Sequence, residues 1–116
     1  MVDIVHIPRR SFIEWLRAAV PDFIPNPELL GNDLDYVVVC EFARYICARA
    51  SSGDWEAVQK GVDFLEMYVA QGGSYSRDLV LEGLESLEAS CQGFERIQAC
   101  FGPKILALWS EALGGN

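Results

Sequence analysis

Acidic side chains come closest, in type and spacing, to a catalytic arrangement in this sequence. Asp63 and Glu66 are three residues apart, and Glu82, Glu85 and Glu88 repeat that interval further along the chain. Residues three or four apart share one face of a helix. Either set could therefore place two carboxylates side by side for acid–base work on a small substrate. Helix surfaces also carry such charges routinely, and a solvated face is the default prediction for them.

Nucleophilic and metal chemistry has less support. His6 is the single histidine, so sites that need two imidazoles are excluded. It also precedes the first helix signal, which is a poor position for a nucleophilic system. The cysteines lack CxxC spacing and lie in apolar segments, which predicts buried, reduced thiols rather than a zinc site. They are Cys40, Cys47, Cys91 and Cys100. We therefore expect no metal, no cofactor and no enzymatic activity.

The most unusual surface feature is the run of carboxylates in the fourth predicted helix. Asp78, Glu82 and Glu85 are spaced i, i+4 and i+7, Glu88 flanks them, and Arg77 is the only cation of the segment. Like charges at such spacings repel by about 0.2–0.5 kcal/mol per pair, a cost that a cationic partner would remove. Solubility is one explanation of the run. The other, which we favour, is that these four residues form a docking surface for a protein partner.

Composition and charge narrow the classes of function. The chain has 116 residues, 17 acidic and nine basic, and its formal net charge of −8 repels polyanions, so nucleic acid is not an expected ligand. A hydrophobic content of 51% suffices for the core of one domain spanning residues 1–116. Apolar runs are far shorter than the roughly 20 residues of a membrane helix, and no export signal is visible. A cytoplasmic protein without membrane contact is expected.

Apolar residues recur at helical spacing along most of the chain and predict an all-α, single-domain bundle of five to six helices. A capping box of Ser11 and Glu14 opens a helix over 11–19, and the Pro-rich loop 21–31 separates it from the rest. A short helical turn through Phe94 and a last helix from Pro103 close the chain.

Three longer helices are predicted to form the core, over 34–50, 54–70 and 76–90, and Ser76 is predicted to cap the last of them. Val37–Val39 could equally start a strand, but the helical period continues over too many residues for one. Short connections favour antiparallel neighbours, and the three helices could also curve like a fragment of an α-solenoid. Gly83 on an inner face predicts a close helix contact.

Several strings of the sequence resemble a group of small, uncharacterised, all-helical bacterial proteins that are similar to immunity proteins of polymorphic toxin systems. The resemblance spans roughly residues 34–112. The strings are Phe64-Leu65-Glu66, Arg77-Asp78-Leu79-Val80, Gly83-Leu84-Glu85-Ser86-Leu87, Phe101-Gly102-Pro103 and the terminal Trp109. The resemblance implies an inhibitor of a co-encoded toxin, without catalysis, and assigns no functional residues.

Two functions of different classes follow. The first is an immunity-type inhibitor that covers a basic cleft of a toxin, such as a nuclease, with its acidic helical surface. The alternative is a helical adaptor or regulatory subunit that binds a partner peptide in a groove between helices. The adaptor would use groove aromatics such as Tyr68 or Tyr75.

Overall fold

The regular structure of the described residues is helical. The computed structural model describes residues 12–25, 35–71 and 73–113, and these contain six helices and no strand. The helices are α1 (Phe12–Ala19), α2 (Asp35–Ser51), α3 (Trp55–Ala70), α4 (Ser74–Ser90), α5 (Phe94–Gln98) and α6 (Pro103–Ala112). The predicted all-α fold is confirmed. His6, the cap at Ser11 and residues 26–31 of the Pro-rich loop lie outside the described residues.

The most extensive helix contact joins α2 to α4, which are not consecutive in the chain. Three pairs show that the two helices run parallel. The Tyr75 hydroxyl donates to Asp35 at the start of both helices, and the Cys47 thiol lies 3.9 Å from the carbonyl oxygen of Ser90 at their ends. Midway, Gly83 lies against Val39. This arrangement is compatible with the antiparallel pairing predicted for consecutive helices, because α3 returns the chain from the end of α2 to the start of α4.

Gly83 explains how α2 and α4 come so close. A Cβ atom added there would lie 2.9 Å from Cγ2 of Val39, closer than such atoms pack. Val39 is fully buried, and its β-branched side chain has few rotamers to move into. The predicted close contact at this glycine is therefore confirmed.

Gly83→Ala is expected to lower the free energy of unfolding by about 1–2 kcal/mol. Overpacking of a filled core costs about 1–3 kcal/mol, partly offset by the better helix propensity of alanine. In a Val39→Ala background the clashing methyl group is gone, so the same change should cost nothing or stabilise. Urea denaturation of the four proteins of this double-mutant cycle measures the coupling. Equal costs in both backgrounds would refute the steric explanation.

The second core helix, α3, has a well-defined start, and α4 begins earlier than predicted. Asp54 caps α3 by accepting from the backbone N–H of Ala57 at 3.2 Å. α4 begins at Ser74, after Gly73 with a φ of 88°, and Ser76 is therefore not a cap. Ser76 is buried and its side chain interacts with Tyr68 of α3, a contact between helices that the sequence pattern does not reveal.

The remaining helices cover the core. α1 packs on α2 and α3, where Phe12 meets Phe64 and Tyr68 ring to ring, and α6 packs on α3 and α4. Arg96 of α5 lies 4.4 Å from the centre of the Trp55 ring at the start of α3. None of the described helices is both long and apolar enough to cross a bilayer.

Candidate protein-docking surface

The four predicted docking residues lie on the side of α4 that faces away from the core. Asp78, Glu85 and Glu88 are exposed and Glu82 is half-buried. The inner side of the helix is fixed by its apolar residues, which are buried against α2, α3 and α6; they include Leu79, Val80, Leu84 and Leu87. We call Asp78, Glu82, Glu85 and Glu88 the acidic surface. The helix brings the first three onto one face and leaves Glu88 at its edge.

Within the part of the chain that the structure describes, no cation is paired with the acidic surface. Arg77, the only cation of α4, turns instead to α6, where its Nη2 lies 2.7 Å from Oε1 of Glu111. No ion pair between described residues involves any of the four carboxylates. Their mutual repulsion is thus left uncompensated within these residues, and a cationic partner would relieve it.

An exposed tyrosine pair extends this surface toward the N-terminal end of α4, a feature that sequence reasoning missed. Tyr75 is one turn before Asp78, and its hydroxyl donates to Oδ2 of Asp35 at 2.5 Å. Tyr36 meets Tyr75 edge-on, with ring centres 6.3 Å apart. The parallel packing of α2 and α4 brings together residues that are 40 positions apart in the chain. No local sequence pattern encodes this packing.

The other pair of carboxylates singled out for acid–base chemistry has structural partners. Asp63 accepts from the side-chain amide of Gln59 at 2.8 Å. Glu66 reaches from α3 to the start of α6, where its two carboxylate oxygens accept from the backbone N–H groups of Lys104 at 2.8 Å and Ile105 at 3.0 Å. A Cβ atom on Gly102 would lie only 2.5 Å from the Glu66 Cδ. Glu66 therefore caps α6 in the space that a glycine leaves open.

The cysteines are less uniformly buried than predicted. Cys91 is buried, whereas the other three are half-buried: Cys40, Cys47 and Cys100. Burial, together with the neighbouring thiol of Cys91, raises the pKa of Cys47 to about 11. Burial and then the charge of Asp63 raise the pKa of Cys100. No three His, Cys, Asp or Glu side chains of the described residues are grouped as metal ligands.

Alkylation of native Cys47 should be slow at neutral pH and rise with pH up to about 11. The thiolate is the reactive form, and a pKa of about 11 against an ordinary 9.0 leaves roughly 100-fold less of it at neutral pH. Iodoacetamide labelling followed by peptide mass spectrometry measures the rate at each cysteine. Unfolding in urea should bring Cys47 to the rate of a free thiol. Labelling of native Cys47 as fast as in urea would contradict its assignment to a desolvated contact.

A groove of about 660 Å³ lies between α3, α4 and α6 and is the described cavity most relevant to an adaptor. Val69, Ala107 and Leu108 supply apolar lining, and Arg77, Lys104 and Glu111 supply charged lining. The aromatic residues expected in such a groove are elsewhere. Tyr68 is buried among the rings of α1 and α3, because its inward position on α3 faces the core, and Tyr75 lies beside α2.

The family of this chain follows from comparison with protein-family models. Neither the curated proteins nor the solved structures contain a match to the chain. One family model matches residues 13–114, nearly the whole of the described helical structure. The chain therefore belongs to the family described as a domain of unknown function, DUF7674.

Proposed function

We propose that this protein is an immunity-type inhibitor that binds and neutralises a co-encoded bacterial toxin in the cytoplasm. The observation that carries the proposal is the acidic surface of α4, which is turned to solvent and has no paired cation among the described residues. The sequence resemblance to immunity proteins of polymorphic toxin systems points the same way. Binding alone accounts for the function, and no catalytic step is required.

The chemistry of the surface favours a basic protein domain as partner. A formal net charge of −8 opposes approach to nucleic acid and to anionic lipid headgroups, whereas it accelerates encounter with a cationic cleft. Active sites that bind nucleic acid carry such clefts, since they must neutralise phosphates. An inhibitor that covers the cleft with carboxylates would compete with the substrate for the same cations.

Co-expression with the neighbouring open reading frame tests the proposal. A tagged copy of this protein should co-purify with the product of that gene, and the host should grow only when both are expressed. The matched control is the toxin gene expressed with an unrelated acidic helical protein, which should not restore growth. Absence of both co-purification and protection with the genes on either side would refute the immunity function.

A second candidate, the adaptor that binds a peptide, is favoured by the groove between α3, α4 and α6. A bulky Ala107→Gln change at this exposed lining position would fill the groove with little effect on the core. Loss of partner binding in that variant, with weak dependence on salt, would support the adaptor. Retention of binding with strong dependence on salt supports the inhibitor.

A further inference from the structure

The tyrosine pair beside the acidic surface has the composition of a site for a cationic side chain. Tyr36 and Tyr75 are 42% and 51% exposed, and their rings stand nearly perpendicular at 86°. An edge-on pair leaves at least one face of each ring uncovered by the other. The carboxylate of Asp35 lies at the hydroxyl of Tyr75 and accepts one hydrogen bond from it. Two exposed aromatic rings and a carboxylate thus lie together at one corner of the bundle.

We propose that Asp35, Tyr36 and Tyr75 form a recognition site for an arginine side chain of the basic partner protein. The choice of a basic protein as the partner rests on the proposed function. Aromatic faces attract cations, and a planar guanidinium can stack on a ring while it donates to a carboxylate. A carboxylate has about four acceptor positions, so Asp35 can accept from the partner in addition to Tyr75. Lysine lacks the planar fork and should bind less well.

The local charge favours a bound cation at this corner, although two helix N-termini lie nearby. α2 and α4 both begin at this corner, and each helix N-terminus carries roughly half a positive charge. The carboxylates of Asp35 and Asp78, the latter one turn beyond Tyr75, exceed that charge. Glu82 and Glu85 continue the negative field along α4.

The hydroxyl of Tyr75 keeps its proton throughout the physiological range. Desolvation by burial, followed by the hydrogen bond and the charge of Asp35, raises the pKa of Tyr75 well above its ordinary value. The phenol is therefore a steady donor that orients the Asp35 carboxylate. Tyrosine is also among the residues that most often dominate the energy of protein interfaces. Asp35, Tyr36 and Tyr75 would anchor one arginine of the partner protein, and the acidic surface would attract that protein electrostatically.

Titration calorimetry with acetylated, amidated hexa-arginine and hexa-lysine peptides tests the site without knowledge of the partner. Both peptides should bind at low ionic strength, with hexa-arginine about fivefold tighter. The double variant Tyr36→Ala, Tyr75→Ala should lose most of this preference, because the rings on which a guanidinium stacks are gone and only its pairing with carboxylates remains. The matched control truncates two exposed apolar side chains elsewhere, Leu106→Ala and Leu113→Ala, and should keep the preference.

Equal affinity of the parent protein for the two peptides, or a preference that is undiminished after loss of both tyrosines, would overturn the inference. A larger sedimentation mass of the parent than of the tyrosine variant would also overturn it, since a second copy of the chain would then cover the rings. Failure of this site with intact protection from the toxin leaves the proposed function standing. An arginine preference without any co-purifying partner would count against the proposed function alone.

Discussion

Replacement of Asp78, Glu82 and Glu85 by lysine is expected to abolish partner binding and leave the fold intact. The three changes turn an uncompensated negative face into a positive one and move the formal net charge from −8 to −2. Electrostatic steering contributes about 10–1000-fold to an association rate, so a fall within that range is expected. Asp78 and Glu85 are exposed and Glu82 is half-buried on the same outer face, where substitutions usually change stability by less than about 0.5 kcal/mol each. Surface plasmon resonance and urea denaturation measure the two quantities.

A control with the same charge change separates position from net charge. Asp22, Glu56 and Glu95 are exposed acids away from the acidic surface, and their replacement by lysine produces the same net charge of −2. This control should retain most of the association rate. If both variants bind equally well, or lose binding equally, the acidic surface is not the docking site.

Loss of the Glu66 cap should be the most damaging change among the polar side chains that join two helices. Glu66→Ala leaves two backbone N–H groups of α6 without their acceptor, at a cost of about 1–2 kcal/mol. Gly102→Ala should cost no more than about 1–2 kcal/mol, because the new Cβ atom displaces the same carboxylate, which is the mobile end of a flexible side chain. Thermal and urea unfolding measure both, with Glu85→Ala as a control that removes an exposed carboxylate.

The two changes at the cap should not be additive. Once Glu66 is alanine, the Cβ atom at Gly102 has room, and the second substitution should cost little. The double variant should therefore be about as stable as Glu66→Ala alone. A double variant whose loss equals the sum of the single losses would show that Gly102 and Glu66 act independently.

The helices were largely predictable from the sequence because their signals are local. The helix predicted over 54–70 agrees with α3 within one residue, and Gly83 marked a close contact between helices. Packing between distant segments was not predictable. Ser76 resembled a cap but is buried against Tyr68, since the chain already turns at Gly73.

The candidate site shows the same difference between local signals, which were predictable, and packing between distant segments, which was not. The i, i+4 and i+7 spacing identified the acidic surface, because a single helix suffices to bring its residues together. Glu66 resembled a member of an acid–base pair, yet its oxygens cap α6, which begins 37 residues later at Pro103. The contact of Asp35 with Tyr75 depends on the parallel packing of α2 and α4, for which no short motif exists.

The central claim is that charge on α4 drives recognition of a basic protein, and the salt dependence of the association rate tests it most directly. The measurement uses the parent protein and the co-purified partner domain in stopped flow, from about 20 mM to 500 mM NaCl. Exposed charges act within a Debye length, which shrinks from roughly 20 Å to about 4 Å over this range. The account predicts a fall of at least about tenfold in the rate. A rate that changes by less than about twofold would contradict it.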